Sequence, residues 1–173
     1  MSIQTFNDQI LPLKDKLYRF SLRILGDSQE AEDVVQEIMI KVWNKREEWD
    51  NWSSIEAMCM TMTRNMSIDR TRSKHRRVGQ FPEHFDPPVE SADPEQTAAS
   101  SDMMQHIQML IDQLPDIQRS IIQLRDVEGY SYKEIGEMLG LTMSQVKIGV
   151  HRARLFLKNE LVKSTEYGRS QNR

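Results

Sequence analysis

The chain has 173 residues, of which 38% are hydrophobic, 28% charged and 7% aromatic, with a formal net charge of −3. That length suits one ordinary domain with a tail or two small domains sharing a connector, and it is too short for a two-domain cofactor enzyme. One cysteine, Cys59, excludes an internal disulfide and a multi-cysteine zinc site, and His75, His84, His106 and His151 are scattered without zinc-protease spacing.

No glycine-rich phosphate loop, serine elbow, secretion signal or membrane-length apolar run is present either. The expectation is an intracellular protein with no catalytic residues, no metal, no cofactor and no membrane contact of its own.

Phe6, Ile10, Leu13, Leu17, Phe20 and Ile24 recur at helical spacing and predict one amphipathic helix stopped at Gly26. Asp27 and Glu30 then predict a capping box for a second helix, with Ala31, Val34, Val35, Ile38 and Val42 inward. Its opposite face carries Glu32, Asp33, Gln36, Ile40 and Trp43. A solvated surface needs neither Ile40 nor Trp43 beside its carboxylates, so this face suits docking; alternatively Trp43 covers a neighbouring helix or loop.

The loop Arg46 to Trp52 holds Trp49, Asn51 and Trp52. Aromatic planes and an amide beside a basic helix can stack or hold an unpaired base, or the tryptophans can simply seal the helix junction. Ser53 and Glu56 predict a capping box for a third helix with Ile55, Met58, Cys59, Met62 and Met66 inward, the methionines as core filler. That helix runs into a stretch where Arg64, Arg70, Arg72, Lys74, Arg76 and Arg77 oppose only Asp69, a balance of +5 suited to a phosphate backbone.

Residues 78–103 contain six acids, no Lys or Arg, and Pro82, Pro87, Pro88 and Pro94. Lacking apolar periodicity, they predict a flexible acidic linker, either a solvated spacer or a nucleic-acid mimic for a partner's basic channel. Leu114, Pro115 and Asp116 suit the start of another helix, with Ile117, Ile121, Leu124 and Val127 as its apolar stripe, leading to Gly129.

Ser131 with Glu134 opens a short helix closed at Gly140, and Thr142 with Gln145 opens the next, a helix-turn-helix pattern. Val146, Val150, Ala153 and Leu157 share the buried side, leaving Ser144, Lys147, Ile148, His151 and Arg152 outward or on the flank. Short polar side chains for base edges and cations for phosphates are what a major-groove reader needs; a helical hairpin with a solvated basic face is the alternative. Gly149 costs about 1 kcal/mol in a helix and admits close approach by another helix or by DNA. From Thr142 to Arg173 the balance is again +5.

These residues resemble the extracytoplasmic-function group of bacterial RNA polymerase sigma factors over nearly the whole chain. The run RILGDSQEAEDVVQEIMIKVW, Arg23 to Trp43, is similar to regions 2.1 to 2.2 of that family. The resemblance implies Asp33, Gln36, Glu37, Ile40 and Trp43 as contacts to core polymerase at the β′ clamp helices. TRNMSIDRTRSKHRR, Thr63 to Arg77, is similar to regions 2.3 to 2.4. The resemblance implies Asn65, Arg70 and Arg72 as contacts to the minus-10 promoter element, with Asp69 orienting an arginine; Asn51 and Trp52 of the preceding loop and the basic residues Arg64, Arg76 and Arg77 are expected at the same element from the residue types given above.

Leu114 to Leu157, with GYSYKEIGEMLGLT and VKIGVHRAR in order, is similar to region 4. That implies Thr142, Ser144, Gln145, Lys147, Ile148, His151, Arg152 and Arg154 at the minus-35 element, and contact with the β flap. The sequence departs from the family at Gly136, where Ala is usual, and in the loop Glu47 to Ser53.

The expected fold is all-α, with a region 2 bundle over 1–77, the acidic linker over 78–103, a region 4 helix-turn-helix domain over 104–165 and a disordered tail over 166–173. The expected partners are core RNA polymerase, promoter DNA and an anti-sigma factor, in the cytoplasm. A stand-alone helix-turn-helix regulator and a sigma-like decoy are the alternatives.

Overall fold

A computed structural model describes residues 3–78 and 94–171, with side chains over 3–73 and 103–164. No strand occurs among the described residues. The chain forms two compact units, residues 1–86 and 87–173.

The first unit begins with a short turn α1 (Ile3–Thr5), a π turn (Phe6–Ile10) and a 3-10 turn (Leu11–Leu13), and continues into α2 (Lys14–Leu25). The single helix expected here is therefore broken into differently wound pieces. Pro12 stands in the first positions of the 3-10 turn, where its missing N–H and fixed φ are tolerated. Gly26, at φ 65°, ends α2 in a left-handed cap, and Asp27 Oδ1 accepts from the Glu30 N–H at 3.1 Å to open α3 (Ser28–Asn44). The expected stripe Ala31, Val34, Val35, Ile38 and Val42 is buried.

After a 3-10 turn (Arg46–Asn51), α4 (Ile55–Val78) packs against α2 and α3. Its start differs from the expected capping box. Ser54, not Ser53, accepts from Ala57 N–H at 3.1 Å, and Glu56 reaches across to Lys16 Nζ at 2.6 Å. The buried side also differs: Cys59, Met60, Thr63 and Ser67 are essentially inaccessible, whereas Met58, Met62 and Met66 are half-buried. Small side chains let α2 and α4 approach until Ser21 Oγ and Ser67 Oγ lie 2.9 Å apart, and that hydrogen bond satisfies both hydroxyls away from water.

The second unit contains α5 (Pro94–Asp112), α6 (Asp116–Ile122), a π turn (Gln123–Val127), α7 (Tyr132–Leu139) and α8 (Met143–Gln171). α5 begins inside the segment expected to be linker, because Pro94 suits a first helical position. α8 runs past residue 166, where the tail was expected, since extending a nucleated helix adds a hydrogen bond with each residue fixed. The rest of the linker, 79–93, lies outside the described residues.

The core joins Ile111, Leu114, Ile122 and Ala153, with Ile107, Phe156 and Leu157 against them. The apolar stripe of α6 is rotated from expectation. Ile121, Ile122 and Leu124 are buried, while Ile117 and Val127 are exposed. Gly149 sits where an added Cβ would lie 2.5 Å from Ile121 Cδ1, so its place in α8 is explained by close packing on α6.

Candidate functional site

On α3, Asp33, Gln36, Glu37 and Ile40 are exposed, Ile40 at 61%. Trp43 is half-buried: its ring meets Phe6 edge-on at 5.4 Å and Trp49 at 6.5 Å, and the Arg46 guanidinium lies 5.4 Å from its centroid. Trp43 therefore covers its neighbours, and Ile40 is the apolar residue this face presents most fully.

Trp49 is 2% exposed, and its indole N–H donates to Val42 O at 3.0 Å. It seals the junction and offers no stacking surface. Asn51 is exposed and Trp52 half-buried, so these two remain at the surface beside α4.

Along α4, Arg64 is half-buried and donates to Asn65 Oδ1 at 2.9 Å; Asn65 and Arg72 are exposed. Arg70 pairs with Glu37, and its Nη1 lies 3.4 Å from Glu30 O. The carboxylate that orients Arg70 is thus Glu37 on α3, not the adjacent Asp69. A groove of about 670 Å³ runs between α3 and α4, with Glu37, Lys41, Asn65, Asp69 and Arg70 among its walls. The side chains of Arg76 and Arg77 lie outside the described residues.

The thiol of Cys59 is pushed up to about 12, first by burial and then by the Glu56 carboxylate, so it stays protonated at neutral pH. Among the described residues no group of three or more His, Cys, Asp or Glu is placed to hold a metal, and no helix is long and apolar enough to cross a membrane.

In the second unit the two helices of the turn are capped as their sequence predicts. Ser131 and Glu134 form a reciprocal box at 3.2 and 2.8 Å, and Thr142 and Gln145 another at 3.2 and 2.8 Å. Gly140 closes α7 at φ 66°. At Gly136 an added Cβ would lie 2.7 Å from Leu141 O, whose own N–H bonds Gly136 O at 2.9 Å. The glycine therefore draws the turn tight.

Val146, Val150 and Ala153 are buried, which fixes the rotation of α8. Thr142, Ser144, Gln145, Lys147, Ile148, His151, Arg152 and Arg154 are all exposed. Arg154 is committed to Asp126, at 3.0 Å from Nε and 2.5 Å from Nη2, and so braces α8 against the preceding π turn. Sequence reasoning missed this pair, and it missed Arg125, which donates to Tyr130 O at 2.8 Å and stacks over Tyr132 at 4.8 Å. Cations of this kind carry no local sequence sign of their carbonyl and ring partners.

Two family descriptions match the chain: Sigma-70 region 2 over residues 10–77 and Sigma-70, region 4 over residues 104–157. The ECF RNA polymerase sigma factor SigE of Mycolicibacterium smegmatis is 34% identical over 151 residues, 86% of this chain, which spans 58% of SigE. SigW of Bacillus subtilis, another ECF sigma factor, is 30% identical over 171 residues, 90% of this chain and 88% of SigW. Among solved structures, the sigma factor RpoE of Bartonella quintana, in complex with the anti-sigma factor NepR, matches with a TM-score of 0.75 and 26% identity over 93% of this chain and 98% of that one.

Proposed function

The chain belongs to the ECF family of RNA polymerase sigma factors, and we propose on that ground that it binds core RNA polymerase, directs it to promoters and assists their opening. Asp33, Gln36, Glu37 and Ile40 form the polymerase-docking face, with Trp43 as the packed support at its end. Asn51, Trp52, Arg64, Asn65, Arg70 and Arg72 face the minus-10 element, together with Arg76 and Arg77. Thr142, which caps α8, and the exposed positions of α8 from Ser144 to Arg152 read the minus-35 element, with Arg154 positioning the helix. Contact with the β flap belongs to this second unit.

The family consists of transcription regulators rather than enzymes, and the chain acts without a covalent step of its own, in the cytoplasm. Opening is driven by binding: an unstacked base is held near Asn51 and Trp52 while basic side chains hold the strand. An anti-sigma factor restrains the chain, as NepR partners the Bartonella relative.

The observation that carries this reading is the outward face of α8. In a chain of net charge −3, residues 142–159 contain no acid, and their polar and cationic side chains project from a doubly capped helix-turn-helix. Gel shift of promoter DNA with core polymerase tests it. The expected outcome is a complex that needs both protein components. Retention of the same DNA by the chain alone, unchanged on adding core, would favour a stand-alone regulator.

A further inference from the structure

We infer that Ile148 is a specificity-determining residue that reads the 5-methyl group of thymine in the major groove of the upstream promoter element. This rests on the promoter-binding reading of α8 given above. Val146, Val150 and Ala153 hold the opposite side of the helix in the core, at 0–3% exposure, so Ile148, 50% exposed, projects away from its own unit. Exposed Ser144 and Arg152 stand one turn before and after it, and exposed Lys147 and His151 lie beside it.

An isoleucine here leaves half of its surface in water. It is a poorer helix former than Ala, Gln, Lys or Arg, and its methyls meet water. What it offers is an apolar knob among polar and cationic neighbours, in a stretch from residue 142 to 159 that is free of carboxylates and whose other exposed large apolar residues are Met143 and Leu155. That combination matches duplex DNA: phosphates for the cations and, on the major-groove floor, thymine's methyl as the apolar group of the base edges. An apolar patch on a protein partner fits less well, because the immediate neighbours of Ile148 are polar and the next exposed apolar residue along the face, Leu155, is two turns away. Ile148 also lies within the first two turns of α8, the part of a recognition helix that reaches base edges.

The test uses the full chain with core polymerase. Transcribed templates are selected from duplexes randomised over the upstream element, with wild type, Ile148→Ala and Ile148→Val; each selected thymine is then replaced by deoxyuridine, which lacks only the methyl. The expected wild-type element contains a thymine whose replacement lowers transcription about fourfold, the worth of one buried methyl. Ile148→Ala should transcribe both templates equally and accept other bases at that position, whereas Ile148→Val keeps part of the discrimination.

A thymine preference undiminished in Ile148→Ala, or a wild type indifferent to every methyl, overturns the inference while leaving promoter binding intact. Absence of any transcript with wild type instead removes the promoter-binding reading itself, and the inference with it.

Discussion

Arg70 on α4 and Glu37 on α3 form an ion pair across the groove between the two helices, although 33 residues separate them in sequence. Family resemblance assigns Glu37 to polymerase and Arg70 to promoter DNA, yet in the free protein each neutralises the other. Both are accessible to solvent, at 49% and 26% side-chain exposure, so the pair is worth little to the fold. A double-mutant cycle with Glu37→Gln and Arg70→Gln, read by urea unfolding, should give a coupling of about 0.5 kcal/mol that shrinks as salt is added. A coupling several times larger and insensitive to salt would mark the pair as structural.

Trp43 and Ile40 should separate in their effects. Trp43→Ala removes the ring packed between Phe6 and Trp49 and should cost about 2 kcal/mol of stability, below the full cost of emptying a core site. Gln36→Ala with Ile40→Ala touches only exposed side chains and should leave unfolding within about 0.5 kcal/mol. The same double variant should weaken retention by core polymerase in a pull-down; normal retention would exclude this face as the docking surface.

Cys59 should resist alkylation by iodoacetamide in the native protein at pH 8 and react fully in urea, as followed by mass spectrometry. Its folded value, about 12 against an ordinary 9.0, also sets a direction for stability. The protonated thiol favours the folded state, so its contribution is complete below pH 9 and is lost as pH rises from 9 towards 12. In Cys59→Ala the loss of stability over that window should be smaller. An identical pH dependence in the two proteins would contradict the assignment.

Two glycines of the second unit should respond differently to alanine. Gly136→Ala forces a Cβ against the backbone oxygen of Leu141, which has no side-chain freedom to yield, and should cost about 1–3 kcal/mol. Gly149→Ala meets the end of the Ile121 side chain, so its cost should disappear in an Ile121→Val background. There the helix-forming advantage of Ala, about 1 kcal/mol, should emerge. Thermal unfolding of wild type, the three single variants and the Ile121→Val, Gly149→Ala double variant checks both statements.

Features set by a few neighbouring residues were legible in the sequence. The caps at Asp27, Ser131 and Thr142 and the stops at Gly26 and Gly140 each depend on side chains or φ values within one turn. The buried stripe of α3 was legible because its apolar residues repeat without interruption. The buried side of α4 was not, since apolarity alone favours Met58, Met62 and Met66, whereas close helix approach selects Thr63 and Ser67. The surface of α8 followed once its buried side was known. The commitments of Arg70 to Glu37, Arg154 to Asp126 and Gly149 to Ile121 depend on distant partners that no local pattern marks.

Run-off transcription with purified core polymerase on a library of promoter fragments tests promoter selection most directly. The expected result is discrete transcripts from a subset of templates only when this chain is present, reduced on all of them by Arg152→Ala and redistributed among them by changes at Ser144 or His151. Products identical to those of core polymerase alone on every template, from a chain that is demonstrably folded, would contradict it.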